Sequence, residues 1–178
     1  TDPAELAARA VEKARRGGGD VRMAAAADDA RAPVPLRALA VERALDNLIG
    51  NAVRYGGRAE VSVTRVGATA LRFRVEDDGP GIPPDRRDEA MRPFARLDLA
   101  RNQDRGTGVG LGLAIAQEIA RAHGGRLELS QSARLGGLCA DLVLAPSSRH
   151  PGAGEGEAGA SAERHIARTE RRPVPRHP

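Results

Sequence analysis

Apolar residues recur along this chain in two rhythms, and the switches between them divide it into elements. From Ala4 to Arg16 the spacing is helical, with Leu6, Ala10, Val11 and Ala14 on one side. Asp2-Pro3 supplies a cap and a first-turn proline, and Gly17-Gly18-Gly19 ends the helix. Val21 to Ala27 reads as a short strand and Ala30 to Pro35 as a loop. A second helix is expected to start near Pro35. Its apolar face would be Leu39, Val41, Leu45, Leu48 and Ala52, with Gly56-Gly57 as its stop.

The rhythm then changes to alternation. Val61 and Val63, followed by Leu71, Phe73 and Val75, predict two antiparallel strands joined near Gly67. Asp77 to Pro84 is a turn, and the mixed segment from Asp85 to Gly106 is expected to hold a short helix. Leu111, Ile115, Ile119 and Ala122 mark a third amphipathic helix, stopped by Gly124-Gly125. Leu127 and Leu129, then Leu138, Ala140, Leu142 and Leu144, give a closing hairpin. The expected fold is α+β: a two-layer α/β sandwich with three main helices on a mixed, mostly antiparallel sheet. After Pro146 the pattern collapses into Gly, Ala, Glu, Arg and Pro. Residues 147–178 cannot bury enough apolar area to offset their ordering entropy, so a disordered tail is expected.

Composition narrows the function classes. The 178 residues suit one domain of ordinary size. Net charge is only +4, and one tyrosine, two phenylalanines and no tryptophan are too few for a base-stacking platform, so no nucleic-acid role is implied. Lys13 is the only lysine beside many arginines, which reads as codon bias. The single cysteine, Cys139, lies in an alternating apolar segment and reads as a small core residue in a reducing, cytoplasmic setting. No segment approaches twenty uninterrupted apolar residues, so this segment is expected to make no membrane contact.

Three segments carry candidate chemistry. Asn47 and Asn51 are four residues apart and share one face of the second helix, opposite the leucines. Taken alone such a pair reads first as polar surface or as caps of a neighbouring loop, and second as hard amide ligands for a Mg²⁺ that also holds phosphate oxygens. Asp77-Asp78-Gly79-Pro80-Gly81-Ile82 follows a strand, and its glycines let the backbone approach a flat ligand. There Asp77, beside Ile82, is suited to accept a hydrogen bond from the exocyclic amine of adenine and to reject guanine. A plain surface turn is the other reading. Gly106-Thr107-Gly108-Val109-Gly110-Leu111-Gly112 leads into the third helix, where backbone amides favour an anion. It lacks the lysine of a Walker loop and the preceding strand of a Rossmann fingerprint. Arg96, Arg101 and Arg105 lie just upstream, able to close over phosphates or to remain solvated.

In this order and at these distances, the segments resemble the catalytic ATP-binding domain of bacterial two-component sensor histidine kinases, closest to the osmosensor-like class. Glu42 to Gly56 is similar to that family's N box and Val75 to Ile82 to its first G box. Arg92-Pro93-Phe94-Ala95-Arg96 resembles its F box and Gly108 to Leu113 its second G box. The resemblance implies a Bergerat-type fold shared with gyrase-type ATPases and heat-shock ninety chaperones. It implies that Asn51 holds Mg²⁺, with Asn47 and Arg54 beside the phosphates of ATP. Tyr55 would pack on the adenine, Asp77 would bind its amine within the Gly79, Gly81 and Ile82 turn, and Arg96, Thr107, Gly108, Val109, Gly110, Leu111 and Gly112 would belong to a mobile lid. The gyrase-type enzymes carry a water-activating glutamate where this chain has Asn47, so phosphoryl transfer is expected to be favoured over hydrolysis.

One departure limits the resemblance. The family's acceptor histidine precedes the ATP domain, whereas His123, His150, His165 and His177 all follow the site and none has that setting. The expected organisation is therefore a junction helix at 1–20 following an absent dimerisation and phosphoacceptor domain, a catalytic domain at 21–146 and a tail at 147–178. The implied function is transfer of the γ-phosphate of Mg-ATP to a histidine upstream or in trans, then to a response regulator. That would make the chain the cytoplasmic portion of a membrane-anchored sensor. A stand-alone ATP-dependent switch and an anti-sigma-like serine kinase module are the alternatives.

Overall fold

A computed structural model describes residues 1–95 and 110–145. Helix α1 (Pro3–Arg16) starts at Asp2, whose side chain accepts from the N–H groups of Ala4 and Glu5, with Pro3 in the first turn. Helix α2 spans Ala38–Tyr55, three residues later than Pro35, and Gly56 closes it by donating its N–H to Ala52 O. Strands β1 (Asp20–Ala26), β2 (Arg58–Val66), β3 (Ala70–Asp77), β4 (Arg126–Gln131) and β5 (Leu138–Leu144) form one sheet. The one-turn helix α3 (Arg87–Ala90), the helix α4 (Gly112–Ala122) and two short 3-10 turns (Asp28–Arg31 and Pro84–Arg86) complete the described elements.

The sheet order is β1-β2-β3-β5-β4. β1 pairs in parallel with β2, and every other pairing is antiparallel, so the sheet is mixed as expected. The β2–β3 hairpin turns at Gly67, which takes φ +62°, a conformation without penalty only for glycine. Alternation sorts the two faces. Val61, Val63, Leu71, Phe73, Val75, Leu142 and Leu144 lie under the helices and are fully or almost fully buried. The opposite face carries Glu60, Arg72, Arg74, Glu76 and Asp141.

The helices contribute to the same core. Leu6, Ala7, Ala10 and Val11 bring α1 into it, so residues 1–20, set apart as a junction by sequence, share the hydrophobic cluster of the catalytic fold. Two of the expected helix faces are corrected. Leu39 is 82% exposed, because the buried stripe of α2 runs through Val41, Ala44, Leu45, Leu48, Ile49 and Ala52, and Leu39 lies two residues out of phase with it. On α4 the fully buried positions are Ala116 and Ala120, while Leu111, Ile115 and Ile119 are half-buried and Ala122 is exposed. Small residues there let α4 lie close against α2, which matters for the site.

Candidate functional site

Helix α2 is the element that the other site segments share. Its middle carries Asn47 and Asn51, and its C-terminal end carries Arg54 and Tyr55, roughly 12 Å further along the axis from Asn47 at 1.5 Å per residue. Asn47 Nδ2 donates to Arg43 O at 2.8 Å, which commits the nitrogen to its own helix and leaves Oδ1 as the outward group. The amide of Asn51 makes no hydrogen bond among the described residues. Both amides are half-buried and meet the start of α4. A β-carbon built on Gly112 would lie 3.2 Å from Asn51 Nδ2 and 3.4 Å from Oδ1 of either asparagine.

The start of α4 has no side-chain cap, and its first intrahelical bond within the turn is Ile115 N–H to Leu111 O. Close to the two asparagine amides, the N–H groups of this first turn have no intrahelical partner and lie at a terminus that favours negative charge. Gly110 precedes them at φ +72°, and its carbonyl accepts from Phe94 N–H at 3.0 Å. Phe94 itself is 69% exposed with φ +63°, an uncommon backbone for a non-glycine residue. The two flanks of residues 96–109 are thus tied to each other. Arg96, Arg101, Arg105, Thr107, Gly108 and Val109 lie outside the described residues.

The second half of the site is the end of β3. Asp77 pairs with Ala59 and so points to the helix side of the sheet, in phase with Val75 and Phe73. It is only 5% exposed. Oδ1 accepts from Gly79 N–H at 2.9 Å and from Leu138 N–H at 3.0 Å, and Oδ2 has no partner among the described residues. Burial pushes its pKa up, and those two backbone donors pull it partly back. Asp78 does something different. Its Oδ1 accepts from Gly57 and Arg58 N–H at 2.7 and 2.9 Å, ties the α2–β2 turn to the β3 end and is held below the ordinary carboxylate range by those donors.

Glycines make the junction of α2 with this turn possible. A β-carbon on Gly79 would sit 2.9 Å from Tyr55 O and 3.0 Å from Asp77 Oδ1. Gly81 takes φ +71°, and Ile82 beside it is half-buried. Tyr55, at the end of α2 beside this turn, is 53% exposed. Gly112 rests on Asn47 and Asn51, and Gly79 on Tyr55 O and Asp77 Oδ1, so the start of α4 and the end of β3 both abut α2. Arg54 lies beside Tyr55 in sequence, Gly81 and Ile82 just after Gly79, and Gly110 and Leu111 just before Gly112.

A match over residues 37–154 to the model of the histidine kinase-, DNA gyrase B- and HSP90-like ATPases decides the family. The chain belongs to it. Among curated relatives of this ATPase domain, Sensor histidine kinase GtrS of Pseudomonas aeruginosa is 44% identical over 112 residues, 63% of this chain and 22% of that protein. Sensor protein RstB of Escherichia coli is 48% identical over 98 residues, 54% of this chain and 22% of that protein. The chain thus spans about a fifth of the length of the curated relatives it matches. Among solved structures, the histidine kinase domain of the E. coli osmosensor EnvZ superposes with TM-score 0.61 at 33% identity, covering 89% of this chain and 94% of that one. A mycobacterial sensor histidine kinase, MprB, gives TM-score 0.66 at 27% identity, covering 81% and 94%.

Two features of this ATPase domain escaped the motifs. His123 is 8% exposed; its Nδ1 donates to Ile119 O at 2.7 Å and its Nε2 accepts from Arg37 N–H at 3.3 Å. It therefore joins the end of α4 to the start of α2, with both ring nitrogens committed, a wider role than capping α4. The β4–β5 loop reaches Asp77 from sixty residues away, and no local signal marks Ser132 or Gly137 as its neighbours.

Proposed function

We propose that this domain binds Mg-ATP in the cleft around α2 and passes the γ-phosphate to a histidine on a separate dimerisation and phosphoacceptor domain, for relay to a response-regulator aspartate. The observation that carries this reading is the packing of Gly112 on Asn47 and Asn51. It sets the uncapped start of α4 beside two amide oxygens, a place for a triphosphate and for the cation that accompanies it. Family membership and the sensor-kinase relatives support the same reading.

In this reading Asp77 Oδ2 accepts from the adenine amine and Tyr55 covers the ring face. Gly79, Gly81 and Ile82 shape the base pocket. The N–H groups at the start of α4, with Gly110, Leu111 and Gly112, receive phosphate oxygens, and Arg54 neutralises their charge. Arg96, Thr107, Gly108 and Val109 are assigned to a cover over the phosphates. The donor set fits a hard cation: Asn51 Oδ1 would hold Mg²⁺, with Asn47 Oδ1 beside it, both neutral oxygens that leave the remaining positions to phosphate and water. Bound there, Mg²⁺ would supply charge neutralisation on the β- and γ-phosphates.

The site holds no side chain suited to activate water where Asn47 stands, so transfer to an aligned nucleophile is favoured over hydrolysis. His123 does not serve as that nucleophile, because it closes the far end of α4, roughly 16 Å of helix away from Gly112. The acceptor is assigned to a partner domain, upstream or in trans, and the domain to the cytoplasmic side of a sensor. No helix among the described residues is long and apolar enough to cross a membrane.

Calorimetric titration with a non-hydrolysable ATP analogue and with GTP, each with and without Mg²⁺, tests the site. Selective Mg-ATP binding is expected, and equal binding of GTP would sink the base assignment. Addition of a dimerisation domain from a sensor histidine kinase should then give acid-labile phosphate on that domain. Tight Mg-ATP binding with no such transfer would leave a nucleotide-dependent switch.

A further inference from the structure

One loop grips the end of β3 from both faces of the sheet. Glu76 and Asp77 are adjacent and therefore point to opposite sides. On the outer face, Ser132 Oγ donates to Glu76 Oε1 at 2.8 Å, and both residues are buried. The other polar groups of Ser132 set the loop itself: its N–H donates to Gly137 O at 2.8 Å, its carbonyl accepts from Gly136 N–H at 3.0 Å, and Oγ accepts from Leu135 N–H at 3.0 Å. The loop then returns to the inner side. There Gly137 N–H donates to Asp77 O at 2.9 Å and Leu138 N–H to Asp77 Oδ1 at 3.0 Å.

A β-carbon on Gly137 would lie 2.2 Å from Asp77 Oδ1, 2.4 Å from Asp77 O and 2.5 Å from Gly79 N, so the loop can approach only as glycine. We infer that Ser132, through its hydrogen bond to Glu76, is a positioning residue for base selection: it seats the loop that leads into Leu138, whose N–H joins that of Gly79 on Oδ1 of Asp77 and so leaves Oδ2 as the acceptor for a 6-aminopurine. The inference rests on the reading of Asp77 as the adenine acceptor. A carboxylate held at one oxygen by two donors has its other oxygen aimed, whereas one held by the Gly79 N–H alone swings more freely and gains less from an amine.

The experiment compares ATP with purine riboside 5′-triphosphate, which lacks the 6-amino group, by calorimetry on the full chain with Mg²⁺. The wild type is expected to prefer ATP by about tenfold or more, the range of one hydrogen bond to a charged group. Ser132→Ala should bring that ratio toward unity while leaving affinity for the deamino analogue in place, and Ser132→Thr, which keeps the hydroxyl, should restore the ratio. A purely structural role would weaken both ligands alike, and that result, or an unchanged ratio, overturns the inference. Should Ser132→Ala not fold, Glu76→Ala removes the same bond from the other side and is judged by the same ratio. Glu76→Gln keeps an acceptor oxygen and should retain the preference. A wild type that does not discriminate at all removes the Asp77 assignment, and this inference falls with it. Discrimination that survives in every variant removes this inference alone.

Discussion

Arg74 holds Asp141 through two parallel hydrogen bonds, Nε to Oδ1 at 2.7 Å and Nη2 to Oδ2 at 2.8 Å, between directly paired positions of β3 and β5. The fork geometry and the burial of Asp141 set it apart from the exposed ion pairs of α1 and α4. Arg74→Ala leaves that carboxylate uncompensated, two pairs along the ladder from Glu76 and on the same face. Chemical denaturation should show a loss of about 1.5–3 kcal/mol, with nucleotide affinity unchanged. Loss of under half a kcal/mol would place this pair with ordinary surface bridges.

Asp77 ties acidity to binding with opposite signs. Burial raises its folded pKa above the ordinary carboxylate value, so the folded state binds the proton more tightly than the unfolded chain. This group's own contribution to stability is therefore unfavourable at neutral pH and improves as pH falls through the raised pKa. If Asp77 accepts the adenine amine as proposed, recognition needs the ionised form and should be lost over the same interval. Asp77→Asn should keep the fold at least as stable near neutrality, lose ATP affinity by about tenfold or more and flatten both pH dependences. Denaturation curves and titrations across the acidic range check each arm, and an ATP affinity equal to wild type in the variant would remove the assignment.

Gly112→Ala separates folding from ligand binding. At the first position of α4 an added methyl improves helix propensity, yet it presses on the amide of Asn51 and on Asn47 Oδ1. Stability should move by less than ~1 kcal/mol in either direction, while Mg-ATP affinity falls about tenfold. Parallel melting and calorimetry measure the two, and a fall in stability without a fall in affinity would contradict the placement of the amides.

His123→Ala removes the bond that joins the end of α4 to the start of α2, along with the ring's bond to its own helix, and strands the Arg37 N–H and Ile119 carbonyl. The expected cost is about 1–3 kcal/mol, with the proposed phosphotransfer per folded molecule preserved. A variant that folds normally but no longer supports transfer would reopen the question of this imidazole.

Local pattern made much of the architecture legible. Alternation through Val61, Val63, Leu71, Phe73 and Val75 fixed both strands and the Gly67 turn, and Asp2-Pro3 marked the start of α1. It failed where packing rather than polarity decides. Leu39 is large and apolar but out of phase with its stripe, and the α4 core is made of alanines because α2 lies too close for leucine. The parallel pairing of β1 with β2 has no signature in a seven-residue strand. For the site, spacing marked Asn47, Asn51, Asp77 and the glycines before α4. The contributions of Ser132, Gly137 and Leu138 come through hydrogen bonds across sixty residues, which no window on the chain contains.

The orientation of Asp77 is a consequence of strand parity, since it follows Leu71, Phe73 and Val75 at intervals of two. The carboxylate is thus indexed by the same count that keeps greasy residues out of water. Adding or deleting one residue between Gly67 and Asp77 would expel three core side chains and turn Glu76 inward in place of Asp77. Drift in this hairpin is therefore restrained by two independent penalties, and its length should be among the least variable dimensions of the molecule.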